Sequence, residues 1–179
     1  ARNLVFKESR KRKVREAYIA EVRKTEADSE ETTSRYSDWK FSSDDIDAII
    51  IPGGFGSAKN LCTFGVDGTD CKVDEDVASL LKEMHKAKKP IGALCIAPAL
   101  LARLFGKESA PEITIGTDAS TAAAMEKMGA RHRNANVDDI VVDSRNRIVT
   151  TPCYMLAQSI KDVGAGAEKL VTKILEMTE

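Results

Sequence analysis

The stretch Lys89-Pro-Ile-Gly-Ala-Leu-Cys-Ile-Ala-Pro-Ala-Leu-Leu101 constrains this chain most. Pro90 breaks a charged helical segment. Ile91 to Leu94 is short, apolar and small enough for a fully buried parallel strand. Cys95 follows at once, and Pro98 with the Ala/Leu run after it reads as the first turn of a helix, where proline is tolerated. A cysteine between a strand end and a helix start sits at a sharp turn, the geometry of a nucleophile elbow. A helix N-terminus beneath it favours a thiolate. Taken alone, the stretch fits a small buried hydrophobe equally well.

A second loop weighs against that bland alternative. Ala48 to Ile51 reads as another buried strand, and Pro52-Gly53-Gly54-Phe55-Gly56 ends it. Glycines directly after a parallel strand let the backbone approach a ligand and present N–H groups. The Gly-Lys-Ser/Thr ending of a phosphate-binding loop is missing, and so is GxGxxG. The remaining uses are an oxyanion pocket of backbone donors or a turn that needs glycine for steric reasons. Strands alternate with helices, so both loops fall at the carboxyl edge of one parallel sheet, where ligands bind in such folds.

The 179 residues suffice for one domain with a real core. Lys+Arg numbers 27 and Asp+Glu 28, a net charge near -1 that gives no pull toward nucleic acid or an acidic membrane surface. No apolar run approaches the roughly 20 residues of a membrane span, and no signal peptide is visible. Cys62, Cys71, Cys95 and Cys153 form no CxxC pair and read as free thiols in a reducing compartment. Two histidines argue against a zinc site.

Along the chain, residues 1–24 are helical by propensity, as one helix or as a helix and a strand near Ala17–Val22, with Arg10 to Arg15 on a solvated face. Residues 24–43 are polar and acidic and read as a loop or insertion, and Ser43-Asp44-Asp45 as one short capped turn. Ser57 onward begins helical and ends in a loop at Gly68. Val73 to Lys88 is an amphipathic helix that carries His85. The helix after the elbow is expected to stop at Gly106. Glu112 to Gly116 is a short strand; Asp118 or Ser120 caps a helix over Thr121 to Met128. Arg131 to Asn136 reads as an edge segment with an exposed His132. Ser144-Arg145-Asn146 reads as a hairpin turn between two strands. A last helix from about Met155 to Met177 is expected to loosen at Gly164 and Gly166. Ile160, Val163, Leu170, Val171, Ile174 and Leu175 form its core face.

With both loops in view the sequence resembles the ThiJ/PfpI superfamily of class I glutamine amidotransferase-like proteins. Within it the sequence closely resembles the ElbB-like subfamily, through Ile50-Ile-Pro-Gly-Gly-Phe-Gly-Ser-Ala-Lys-Asn-Leu61, Cys95-Ile-Ala-Pro98, Thr114-Ile-Gly-Thr-Asp118, Val137 to Asp143 and Thr150-Thr-Pro152 through Gln158. The likeness covers residues 44–179. It implies a three-layer α/β/α sandwich with a mostly parallel sheet, flavodoxin-like, in a single domain and usually a homodimer. It implies a nucleophile at Cys95, an oxyanion pocket from the backbone of Gly53, Gly54 and Ile96, and substrate contacts from Phe55, Asn60, Thr117 and Asp118. No metal and no cofactor are implied.

The activity implied is glyoxalase or deglycase chemistry without glutathione, on glyoxal or another small aldehyde, with a link to isoprenoid biosynthesis. The alternative is a non-catalytic member that senses redox state or binds a metabolite. The compartment implied is cytoplasmic, or mitochondrial in a eukaryote. Thr117-Asp118 stands where many relatives carry a histidine, and no histidine follows His132, so neither a cysteine–histidine pair nor a glutaminase triad is expected. His85 and His132 match no catalytic position of the family. The resemblance places a first, central strand and a glutamate that hydrogen-bonds the cysteine ahead of residue 1. The chain begins Ala-Arg-Asn and is therefore expected to be part of a longer one.

Overall fold

The computed structural model describes residues 42–179. The readings of residues 1–24 and of nearly all of 24–43 lie outside the described residues. Ser43–Asp45 is a short 3₁₀ turn closed by a capping box between Ser42 and Asp45.

The strands are short and rich in β-branched residues: β1 (Ile49–Ile51), β2 (Ile91–Leu94), β3 (Glu112–Ile113), β4 (Arg131–His132), β5 (Val141–Asp143) and β6 (Ile148–Thr151). Four of them form one sheet in the order β1-β2-β6-β5. β1, β2 and β6 run parallel, with Ile51 opposite Ala93 and Leu94 opposite Thr151. β5 joins antiparallel through the hairpin expected at Ser144-Arg145-Asn146. β3 and β4 make a separate parallel pair. That pair is tied to the main sheet by side chains: the Glu112 N–H donates to the Asp143 carboxylate at 2.8 Å, and the Thr114 N–H to Thr150 Oγ1 at 2.9 Å.

Helices cover both faces. They are α1 (Phe64–Asp67), α2 (Glu75–Lys86), α3 (Pro98–Ser109), α4 (Ala119–Lys127) and α5 (Ile160–Glu176). Alternation along β6 sorts the core into two layers. Ile148 joins Ile91, Ala93, Leu100, Leu101 and Phe105 on one side, while Val149 joins Leu170 and Ile174 of α5 on the other. The result is the α/β/α sandwich with a mostly parallel sheet. Three side-chain caps start the longer helices where orphan N–H groups need acceptors: Asp74 for α2, Asp118 for α4 and Ser159 for α5.

Several local readings are corrected. α3 does not stop at Gly106 but runs on to Ser109, with Ala110 left-handed at its end. Gly106 instead permits close packing: a Cβ there would meet the Met128 carbonyl oxygen at 2.2 Å. The last helix begins at Ile160, after a 3₁₀ turn at Cys153–Met155, and passes through Gly164 and Gly166 without a break. Its core face is narrower than the sequence suggests. Leu170 and Ile174 are buried, whereas Ile160 is 81% exposed and Val171 and Leu175 also face outward.

At the amino edge of the sheet a buried polar network closes the β5–β6 turn. Asp143 accepts from the Asn146 N–H at 3.0 Å and from Asn146 Nδ2 at 2.7 Å, and Asn146 Oδ1 pairs with His85 Nε2 at 3.2 Å. Burial works against the Asp143 carboxylate, but its donors from Asn146, Glu112 and Arg145 outweigh it and hold the carboxyl below its usual range. Asp143→Ala leaves the Glu112 and Asn146 donors without an acceptor and is expected to cost about 3 kcal/mol in denaturant unfolding. Because the folded-state pKa is depressed, the wild-type contribution is present above the ordinary carboxylate range. It is lost as pH falls through the folded value, so the gap between the two proteins narrows in acid.

Candidate active site

Cys95 sits one residue beyond β2 with φ +59°, in the left-handed region that non-glycine residues seldom enter. Such a residue costs on the order of 1–2 kcal/mol, a strain that the surroundings must hold in place. They do so through backbone bonds on either side. The Cys95 N–H donates to the Thr151 carbonyl of β6 at 2.9 Å, and the Ala97 N–H returns to the Leu94 carbonyl at 3.0 Å. Pro98 then opens α3, where its missing N–H is no loss. The elbow read from the sequence is therefore the backbone geometry found.

The glycine loop lies against it. A Cβ on Gly53 would fall 2.5 Å from Cys95 Cβ, 2.6 Å from the Leu94 oxygen and 3.2 Å from the Cys95 sulfur. Only a residue without a side chain fits between β1 and the thiol. Gly54 follows with φ +90°. Ser57, which the sequence reading passed over, is buried and fastens the loop: its hydroxyl donates to the Pro52 carbonyl at 2.6 Å and to the Gly53 carbonyl at 3.2 Å. A serine four or five residues after a Pro-Gly-Gly turn is the signal that would have found it. The N–H groups of Gly54 and Ile96 donate to no acceptor among the described residues, which suits them to an incoming oxyanion.

The remaining expected site residues divide. Phe55 and Asn60 are exposed on and after the same loop, and Lys59 Nζ lies 4.5 Å above the Phe55 ring. Thr117 and Asp118 are exposed beyond β3. The neighbouring Gly116 packs on Pro152 and Leu156 of the loop after β6. Asp118 accepts from the Thr121 N–H at 2.7 Å and from the Ser120 hydroxyl at 2.8 Å. These bonds hold its carboxyl below the usual range, so it acts as a helix cap and a weak proton donor.

The histidines lie apart from this chemistry. His85 stacks on Phe105, with ring centroids 4.4 Å apart, and bonds Asn146 at the amino edge of the sheet. The length of β2, about 13 Å at 3.3 Å per residue, separates that edge from Cys95. His132 is half-buried rather than exposed, because its Nε2 accepts the Ile115 N–H at 3.3 Å. Burial pushes its pKa below 6.5, against the pull of Glu126. A depressed histidine stabilises the fold above its unfolded pKa and loses that contribution as pH falls through the folded value. His132→Gln keeps an acceptor for Ile115 and is expected to flatten the decline in stability below about pH 6.5, read by urea unfolding at pH 7.5 and pH 5.

All four cysteines are free, and Cys95 is the one that is part-exposed. Cys62, Cys71 and Cys153 are 2%, 0% and 3% exposed, and burial raises each of their thiols, Cys71 to about 11. Among the described residues no group of His, Cys, Asp and Glu could hold a metal ion, and no helix is long and apolar enough to cross a membrane.

Residues 11–155 match the DJ-1/PfpI family. A Rattus norvegicus protein named ES1 protein homolog, mitochondrial, is 45% identical over 141 residues, which cover 74% of this chain and 52% of the rat protein. The Homo sapiens glutamine amidotransferase-like class 1 domain-containing protein 3, mitochondrial, is 44% identical over 141 residues, with the same two shares of 74% and 52%. The chain thus spans about half the length of these curated relatives. An isoprenoid biosynthesis protein with amidotransferase-like domain from Ehrlichia chaffeensis, solved by crystallography, superposes with a TM-score of 0.70 at 29% identity, over 78% of this chain and 63% of that one. With its sandwich, its cysteine elbow and a family match over most of its length, the chain belongs to the DJ-1/PfpI family.

Proposed function

We propose that this chain carries a glutathione-independent glyoxalase or deglycase activity of the ElbB-like kind, with Cys95 as nucleophile toward glyoxal or a related small aldehyde. One observation carries the reading: a part-exposed cysteine, strained at an elbow, faces a glycine loop whose Gly54 N–H donates to no acceptor among the described residues.

The Cys95 sulfur adds to one aldehyde carbon and forms a hemithioacetal. The oxygen that gains charge is held by the Gly54 and Ile96 N–H groups. The hydrogen on that carbon moves as a proton to the neighbouring carbon, which leaves a thioester of glycolate. Water then releases glycolate and restores the thiol. The proton transfer needs an acid/base group. Asp118 is occupied by its cap, His85 by Asn146 and His132 by Ile115. The resemblance supplies that role through a glutamate that hydrogen-bonds the cysteine, outside the described residues.

The name of the Ehrlichia chaffeensis neighbour supports a link to isoprenoid biosynthesis, and the names of the rat and human relatives support a mitochondrial compartment. The homodimer belongs to the same reading. The test is glycolate formation from glyoxal without glutathione, followed by proton NMR. Turnover is expected with the intact protein, and none would leave Cys95 as a binding or sensing thiol.

A further inference from the structure

We propose that Cys153 is the resolving thiol of Cys95, and that the two close a reversible disulfide across the carboxyl ends of β2 and β6 when a hydroperoxide oxidises Cys95. The proposal rests on the preceding reading of Cys95 as a reactive, accessible thiol.

Register brings the pair together. Leu94 stands opposite Thr151 in the parallel ladder. Cys95 is the next residue on one strand, and Cys153 lies two residues on along the other. The Cys95 N–H is bonded to the Thr151 carbonyl at 2.9 Å, which fixes the elbow against the end of β6. Cys95 falls beside Pro152, so Cys153 is offset by one residue; a strand spacing of about 4.8 Å with one rise of about 3.3 Å gives roughly 6 Å, inside the window of about 4.4–6.8 Å that a disulfide spans between Cα atoms. Both cysteines take the left-handed backbone, at φ +59° and +46°, so each chain turns sharply just past its strand. The Cys95 charge acts directly on the Cys153 thiol, as it does only when the two side chains lie close together.

Electrostatics then sets the order of events. Burial first, and the Cys95 charge second, push the buried Cys153 thiol up, so the part-exposed Cys95 is the one that meets the oxidant first. The Cys95 sulfur attacks the outer oxygen of the hydroperoxide and breaks the O–O bond. The alkoxide leaves as an alcohol, and Cys95 becomes a neutral sulfenic acid. The repulsion at Cys153 is thereby removed. Its sulfur attacks the Cys95 sulfur, its proton goes to the departing hydroxide, and water leaves as the S–S bond forms. The two thiols supply the two electrons that reduce the peroxide, and a small-molecule thiol restores both.

Cys62 and Cys71 serve as an internal control. They are also electrostatic neighbours, but both are buried with raised thiols, so they meet no oxidant and stay reduced.

The experiment treats the protein with stoichiometric hydrogen peroxide, blocks residual thiols, digests without reductant and reads the peptides by mass spectrometry. The expected product joins the Cys95 and Cys153 peptides with the loss of two hydrogens and disappears on reduction. In Cys153→Ala and Cys153→Ser the cross-link is absent, and the sulfinic form of Cys95 accumulates about tenfold more. Wild-type protein that over-oxidises at Cys95 with no cross-link overturns the proposal while leaving the reactive thiol in place. A Cys95 that neither oxidises nor alkylates faster than Cys62 overturns both.

Discussion

Gly53→Ala is expected to destabilise the protein by about 3 kcal/mol and to slow Cys95 chemistry by roughly a hundredfold. The added methyl would lie 2.5 Å from Cys95 Cβ and 2.6 Å from the Leu94 oxygen. Neither can yield cheaply. The Leu94 carbonyl accepts the Ala97 N–H, and the Cys95 backbone is held by Thr151. The glycine loop is equally fixed, because Ser57 bonds two of its carbonyls. The strain therefore falls on the turn that aims the sulfur, and stability and reactivity fail together. Gly164→Ala is the matched control: nothing lies within 4 Å of its new Cβ, and α5 gains about 0.5–1 kcal/mol from the better helix former. Urea unfolding and the rate of thiol alkylation read both variants. A Gly53→Ala protein with unchanged stability would show that the loop does not abut the elbow.

Cys95→Ala is expected to remove glyoxal turnover by roughly three orders of magnitude or more, because no other described thiol can replace it. The three remaining cysteines are buried. Stability is expected to change by less than about 1 kcal/mol, since alanine meets the same backbone cost at φ +59° and the lost sulfur is only part-buried. Glycolate formation beside an unfolding curve separates the two effects. Residual turnover within about tenfold of wild type would move the chemistry to another group.

The elbow was legible because its signals are local. A small apolar run, a cysteine and a proline at the first helical turn specify strand, turn and helix within a dozen residues. The glycine loop was legible for the same reason. What the sequence hid depends on contacts between distant segments. Gly106 reads as a helix end until the Met128–Gly129 backbone is seen pressed against it. Ile160, Val171 and Leu175 fit a helical stripe, but the α5 residues buried on the sheet are Gly166, Leu170 and Ile174. His132 carries no mark in the sequence of the Ile115 amide that it accepts. Cys153 gains meaning from the pairing of β2 with β6, which no local pattern encodes.

The most direct measurement is alkylation by limiting iodoacetamide from pH 5 to 9, with each cysteine followed separately by peptide mass spectrometry. The predicted result is that Cys95 labels at least about a hundredfold faster than Cys62, Cys71 and Cys153 at neutral pH, since the other three are closed to solvent and their thiols are raised. A Cys95 that labels at the rate of the other three, or only once the protein unfolds, would contradict the account and make the elbow a packing feature.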